Sequence, residues 1–70
     1  MIREFVSSST LRSIGYDETN KILEVEFKTG KLYQCLNVPK HLYIGLMSAS
    51  SKGNFYDTFI KKAGFRCFKI

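Results

Sequence analysis

The stretch Leu23-Glu24-Val25-Glu26-Phe27-Lys28-Thr29-Gly30-Lys31-Leu32-Tyr33-Gln34-Cys35 decides the fold. Leu23, Val25 and Phe27 alternate with Glu24, Glu26 and Lys28, the period of a strand with one face on a core and one in water. Lys28-Thr29-Gly30 fits a short hairpin turn in which Gly supplies a positive φ. A third strand, Lys31 to Asn37, then returns beside the second. A three-residue loop sets Val25 opposite Tyr33 and Leu23 opposite Cys35, with all four on one side. A two-residue loop shifts that register and flips the faces. The sequence is compatible with both.

Upstream, Leu11 to Tyr16 reads as the first strand. Asp17-Glu18-Thr19-Asn20 follows as a turn, with Asp favouring its start and Asn tolerating a left-handed conformation. Residues 1–9 read as a loosely held lead-in. After Val38 the period becomes helical. Pro39 fits the first turn, and Leu42, Leu46 and Ala49 fall on one face beside Tyr43 and Met47. Ser50 or Ser51 is placed to cap a second helix, whose apolar stripe is Phe55, Tyr56, Phe59, Ile60 and Ala63. Gly64 ends it as a left-handed cap. Phe65–Ile70 suits an added edge strand. The expectation is one α+β domain spanning residues 1–70. It comprises a three-stranded antiparallel β-meander, two short helices packed on one face, and a short C-terminal strand or extension.

Seventy residues leave room for one small core, since a chain of this size buries only ~60% of its unfolded surface. A composition of 44% apolar and 14% aromatic residues is that of a folded chain, and it argues against a self-contained enzyme with a deep pocket. The net charge of +5 is unevenly spread. Residues 1–35 carry five basic and five acidic side chains, whereas Lys40, Lys52, Lys61, Lys62, Arg66 and Lys69 face the single Asp57 in residues 36–70. A one-sided positive surface draws polyanions such as nucleic acid. Cys35 and Cys67 are too far apart for a CxxC motif, and their setting among aromatics favours two buried free thiols over a disulfide. The N-terminus lacks a signal-like apolar region and no run is long enough to span a membrane, so the chain reads as cytoplasmic, with no membrane partner.

Catalytic constellations are poor. His41 is the only histidine, no nucleophile elbow appears, and two distant cysteines with one histidine make no metal set,. The expectation is no enzyme, no cofactor and no metal. Ser50-Ser51-Lys52-Gly53-Asn54 sets hydroxyls, a cation and a glycine at a helix start, where free N–H groups favour an anion. A capping turn alone accounts for the same residues. The interleaved cations and rings of Lys61, Lys62, Phe65, Arg66, Phe68 and Lys69 suit single-stranded nucleic acid. In that reading Lys52, Lys61, Lys62, Arg66 and Lys69 meet phosphates, Gly53 N–H adds a donor, and Tyr33 stacks on a base. The other reading is a protein-interaction module that adds a strand at an exposed sheet edge or pairs with a second copy.

Several motifs in order carry a resemblance: Ser8, Ile14-Gly15-Tyr16-Asp17, then Leu23-x-Val25-x-Phe27-x-x-Gly30-x-x-Tyr33-x-Cys35, Val38-Pro39, and Ser51-x-Gly53-x-Phe55. Over roughly residues 6–70 the chain resembles the KTSC domain. That family takes its name from the C-terminal region of some lysyl-tRNA synthetases and also occurs as small free-standing bacterial proteins. The resemblance implies a bacterial or phage source and no catalytic residue. RNA binding is implied only through attachment to an enzyme that handles tRNA. One departure stands out: the family's usual Tyr-x-Tyr reads Tyr33-Gln34-Cys35 here. An aromatic platform on that pair would lose half its surface.

Overall fold

A computed structural model describes all of residues 1–70. Its elements are strands β1 (Arg3–Phe5), β2 (Leu11–Asp17), β3 (Ile22–Phe27) and β4 (Leu32–Cys35), helices α1 (Lys40–Ser48) and α2 (Lys52–Tyr56), and strand β5 (Cys67–Lys69). The strands form one antiparallel sheet in the order β1-β2-β3-β4-β5. The fold is α+β as expected, but the sheet has five strands, one more at each side than the expected three-stranded meander. Residues Arg3–Phe5, read as lead-in, instead pair with β2, while the terminal segment pairs with β4 as the edge strand it was expected to form.

The hairpin resolves the open register. Val25 faces Tyr33 and Leu23 faces Cys35, so the loop has three residues. Gly30 N–H donates to the Phe27 carbonyl at 2.9 Å and Phe27 N–H to the Lys31 carbonyl at 2.8 Å. Gly30 sits at φ 93°, the left-handed position that such a loop reserves for glycine. In the preceding turn Asn20 donates to both Asp17 carboxylate oxygens, at 3.2 and 2.9 Å. The left-handed residue there is Lys21, at φ 55°, rather than Asn20. Asn20 instead spends its side chain tying off the turn, and Lys21 carbonyl accepts the Val38 N–H at 2.9 Å.

This register sends Leu11, Ile14, Leu23, Val25 and Cys35 to the helix side, where they join Val38, Leu46, Tyr56 and Ile60 in the core. Tyr16 donates its hydroxyl to the Val38 carbonyl and stacks on Tyr43 with ring centroids 4.8 Å apart. Ser51 precedes α2 as expected, but its side chain makes no capping bond. α2 runs on into a π-helical turn over Asp57–Lys61, closed by Lys62 N–H to the Asp57 carbonyl at 2.9 Å. That wider turn narrows the expected stripe. Tyr56 and Ile60 are buried, while Phe59 is half-exposed and Ala63 faces solvent. Gly64, at φ 93°, follows the last turn as expected.

The cysteines correct a further expectation. They form a disulfide, Cys35–Cys67, because β5 docks on β4 with these two residues directly opposite. The neighbouring Leu36 N–H bonds the Arg66 carbonyl, which makes Cys35 and Cys67 a close, non-hydrogen-bonded pair with Cα atoms 4.0 Å apart,. Spacing along the chain carried no sign of that pairing.

No helix covers the opposite sheet face. A row crosses it from Arg3 through Gly15 and Glu24 to Gln34. Gly15 lacks a side chain, and the Arg3 chain lies over it; a Cβ there would sit 2.9 Å from Arg3 Cγ. Arg3 thereby reaches the Glu24 carboxylate, which also accepts from Gln34 Nε2 at 2.8 Å. Burial works to raise the Glu24 pKa, but the bonds from Gln34 and Arg3 and the Arg3 charge outweigh it, so the carboxyl stays below its usual range,. A lowered folded pKa means stability that is present above the ordinary carboxylate range and lost as pH falls through the folded value. Glu24→Gln is expected to cost about 1–3 kcal/mol in urea unfolding at neutral pH. The gap between the two proteins should close in acid; an equal gap at both pH values would contradict this.

Candidate functional site

On the helix side, the end of the β3–β4 hairpin, α2 with its π turn, and the lead into β5 border a half-open cavity of about 440 Å³, a surface recess rather than a deep pocket. Eight residues line it: Phe27, Tyr33, Tyr56, Phe65 and Cys67, with Thr29, Lys31 and Lys61. Phe27 stands edge-on to both Tyr33 and Tyr56, at ring separations of 5.7 and 5.5 Å. The walls are thus largely aromatic, and the two cations, both exposed, mark the rim. No carboxylate lines the cavity. Such a site suits a flat, apolar or aromatic group attached to an anion.

Each wall has a local cause. Phe27 and Tyr33 project from β3 and β4 on the helix face, as the three-residue register requires. Tyr56 is 5% exposed, and its hydroxyl lies 3.7 Å from Cys35 Sγ. Burial, with smaller contributions from Tyr33 and Asp57, raises its pKa, so it holds its proton at neutral pH. Phe65 is held at the root of β5, two residues before the disulfide.

The cations expected at the site are dispersed. Lys61 lines the cavity, and Lys69 lies opposite Tyr33 in the β4–β5 pairing, on the same face. Lys52 donates to the Ala49 carbonyl at 3.0 Å, and Lys62 pairs with Asp57 at 3.1 Å. Arg66 neighbours Cys67 on an extended segment, and alternation turns it to the opposite side. Gly53 packs against Thr10, whose Oγ1 would be 2.9 Å from any added Cβ; close approach accounts for that glycine without a ligand. Of the lining, Phe27, Thr29, Tyr56 and Cys67 were not expected at a site from sequence, and the one lining cation not expected there is Lys31. Its charge cancels in a count along residues 1–35, yet it stands two positions before Tyr33 and so shares its strand face. Cys35, the departure from Tyr-x-Tyr, is fully buried, and the aromatic surface beside Tyr33 comes from Phe27, Tyr56 and Phe65 instead.

The profile of the KTSC domain matches residues 7–65. An uncharacterized protein of Stutzerimonas stutzeri is 40% identical over 70 residues, covering 100% of this chain and 99% of its own. A crystal structure of a KTSC domain protein from Yersinia pestis superposes with a TM-score of 0.92 at 48% identity, over 99% of this chain and 96% of that one. A lysine–tRNA ligase of Nostoc punctiforme is 32% identical over 53 residues, which is 76% of this chain but 9% of the ligase. This chain belongs to the KTSC domain family. No helix is long and apolar enough to cross a membrane.

The buried hydroxyl gives a direct check on the cavity wall. In a spectrophotometric titration Tyr56 and Tyr16 are both expected to ionise above the ordinary phenol range, each raised chiefly by burial, and Tyr56→Phe should remove one of these two late steps. Loss of an early step instead would place Tyr56 in solvent.

Proposed function

We propose that this protein is a small non-enzymatic binding module for single-stranded nucleic acid, RNA first. The aromatic cavity receives a base, and Lys31, Lys61 and Lys69 meet the flanking phosphates. The observation that carries the reading is the convergence of Tyr33, Phe65 and two rim lysines on one acid-free cavity. Rings offer stacking to any base, and cations beside them neutralise backbone charge, which is the combination single strands require. The partial match to a lysine–tRNA ligase supports a setting near RNA.

Fluorescence anisotropy of a labelled single-stranded RNA, titrated at several salt concentrations, tests this. Converting Lys31, Lys61 and Lys69 to Gln should lower the log–log salt slope by about 2, near 0.7 per lost phosphate contact. Tyr33→Ala should weaken binding by about 1–3 kcal/mol. Lys52→Gln with Lys62→Gln should change little, since both lysines are already engaged. Absence of binding at low salt would overturn the proposal.

A second reading, a protein-interaction module, draws on the uncovered sheet face. There Phe5 and Ile70 are 83% and 63% exposed, and three-residue strands form both edges. A dimer in sedimentation at high concentration would favour it.

A further inference from the structure

The two sulfurs of the Cys35–Cys67 bond stand in unlike surroundings. Cys35 is fully buried, with the Tyr56 hydroxyl 3.7 Å from its Sγ. Cys67 is only partly buried and lines the cavity. The path to the bond therefore runs through the cavity, past Lys31 and Lys61, and ends at Cys67. We propose that this disulfide is an exchangeable redox site, opened through the cavity by an anionic low-molecular-weight thiol that attacks Cys67 Sγ and expels Cys35.

The chemistry balances as follows. The incoming thiolate bonds to Cys67 Sγ; the Cys35–Cys67 bond breaks, and its electron pair leaves on Cys35 Sγ. A second molecule of the same thiol attacks the mixed disulfide at the small-molecule sulfur. The small-molecule disulfide departs, and Cys67 is left as thiolate. Two small thiols are oxidised, one protein disulfide is reduced, and both protein sulfurs end as thiols once protons are taken up from water. Each flanking feature assists a step. The rim lysines draw an anion and favour its thiolate form. Tyr56, kept protonated by burial and 3.7 Å from Cys35 Sγ, donates to the departing, fully buried Cys35 sulfur. Opening the disulfide removes the covalent link between β4 and β5, a strand of three residues. The claim stands apart from nucleic-acid binding, because its readout is the state of two sulfurs.

Oxidised protein without denaturant is exposed to reduced glutathione or to neutral β-mercaptoethanol, quenched with iodoacetamide, and its thiols are counted by mass spectrometry. Compared per thiolate, glutathione is expected to open the bond about tenfold faster. Lys31→Gln with Lys61→Gln should remove that advantage. In Cys35→Ser, oxidised glutathione should form a mixed disulfide at Cys67, whereas in Cys67→Ser it should leave Cys35 unmodified. A bond that opens only in urea, equal rates for the two thiols, or modification of Cys35 as fast as Cys67 would each overturn the proposal.

Discussion

The structure depends on the register of β3 against β4. The side-chain period of a strand is two, so one residue of slip would turn Tyr33 and Cys35 away from the face that Leu23, Val25 and Phe27 present to the helices,. Gly30 prevents that slip by taking the left-handed position of a three-residue loop. Three consequences follow from this one turn. The core receives its two central strands, the cavity receives two of its aromatic walls, and Cys35 faces the position where β5 arrives.

β5 completes what the hairpin begins. It is the last strand in sequence but pairs with β4, after a connection that contains both helices. Its docking turns an open hairpin edge into a cavity wall by bringing Phe65 and Cys67 beside Tyr33. On the other sheet face, polar chemistry does the work that helices do on the first. Arg3, Glu24 and Gln34 satisfy one another in a row, which explains how a carboxylate stays 7% exposed on a face no helix covers. The chain thus buries one side of its sheet with hydrocarbon and ties part of the other with an ion pair, a workable solution for so small a core.

Much of this could be read from local pattern. Alternation from Leu23 to Phe27 marked the central strand, Gly30 marked the turn, and Gly64 marked the end of the second helix. What escaped reading is long-range. Arg3-Glu4-Phe5 has no period of its own, and β1 exists because Gly15 leaves room for Arg3 to reach Glu24. The disulfide required knowing that β5 returns to β4 in register at Cys35 and Cys67. The same limit applied to charge: Lys31 belongs with Lys61 only after folding places the hairpin against the π turn. Among the residues proposed from sequence, Tyr33, Lys61 and Lys69 share that face, while Lys52 and Lys62 are held by neighbours and Arg66 points elsewhere.

As proposed, the helix-side cavity, rather than the open sheet face, meets the nucleic acid. Amide chemical-shift mapping during titration with a short single-stranded RNA tests it most directly. Perturbations are expected to centre on Tyr33, Lys31, Lys61 and Phe65, with Arg3, Glu24 and Phe68 backbone signals little changed. Perturbations centred on Phe5, Glu24 and Phe68, or none at low salt, would contradict it.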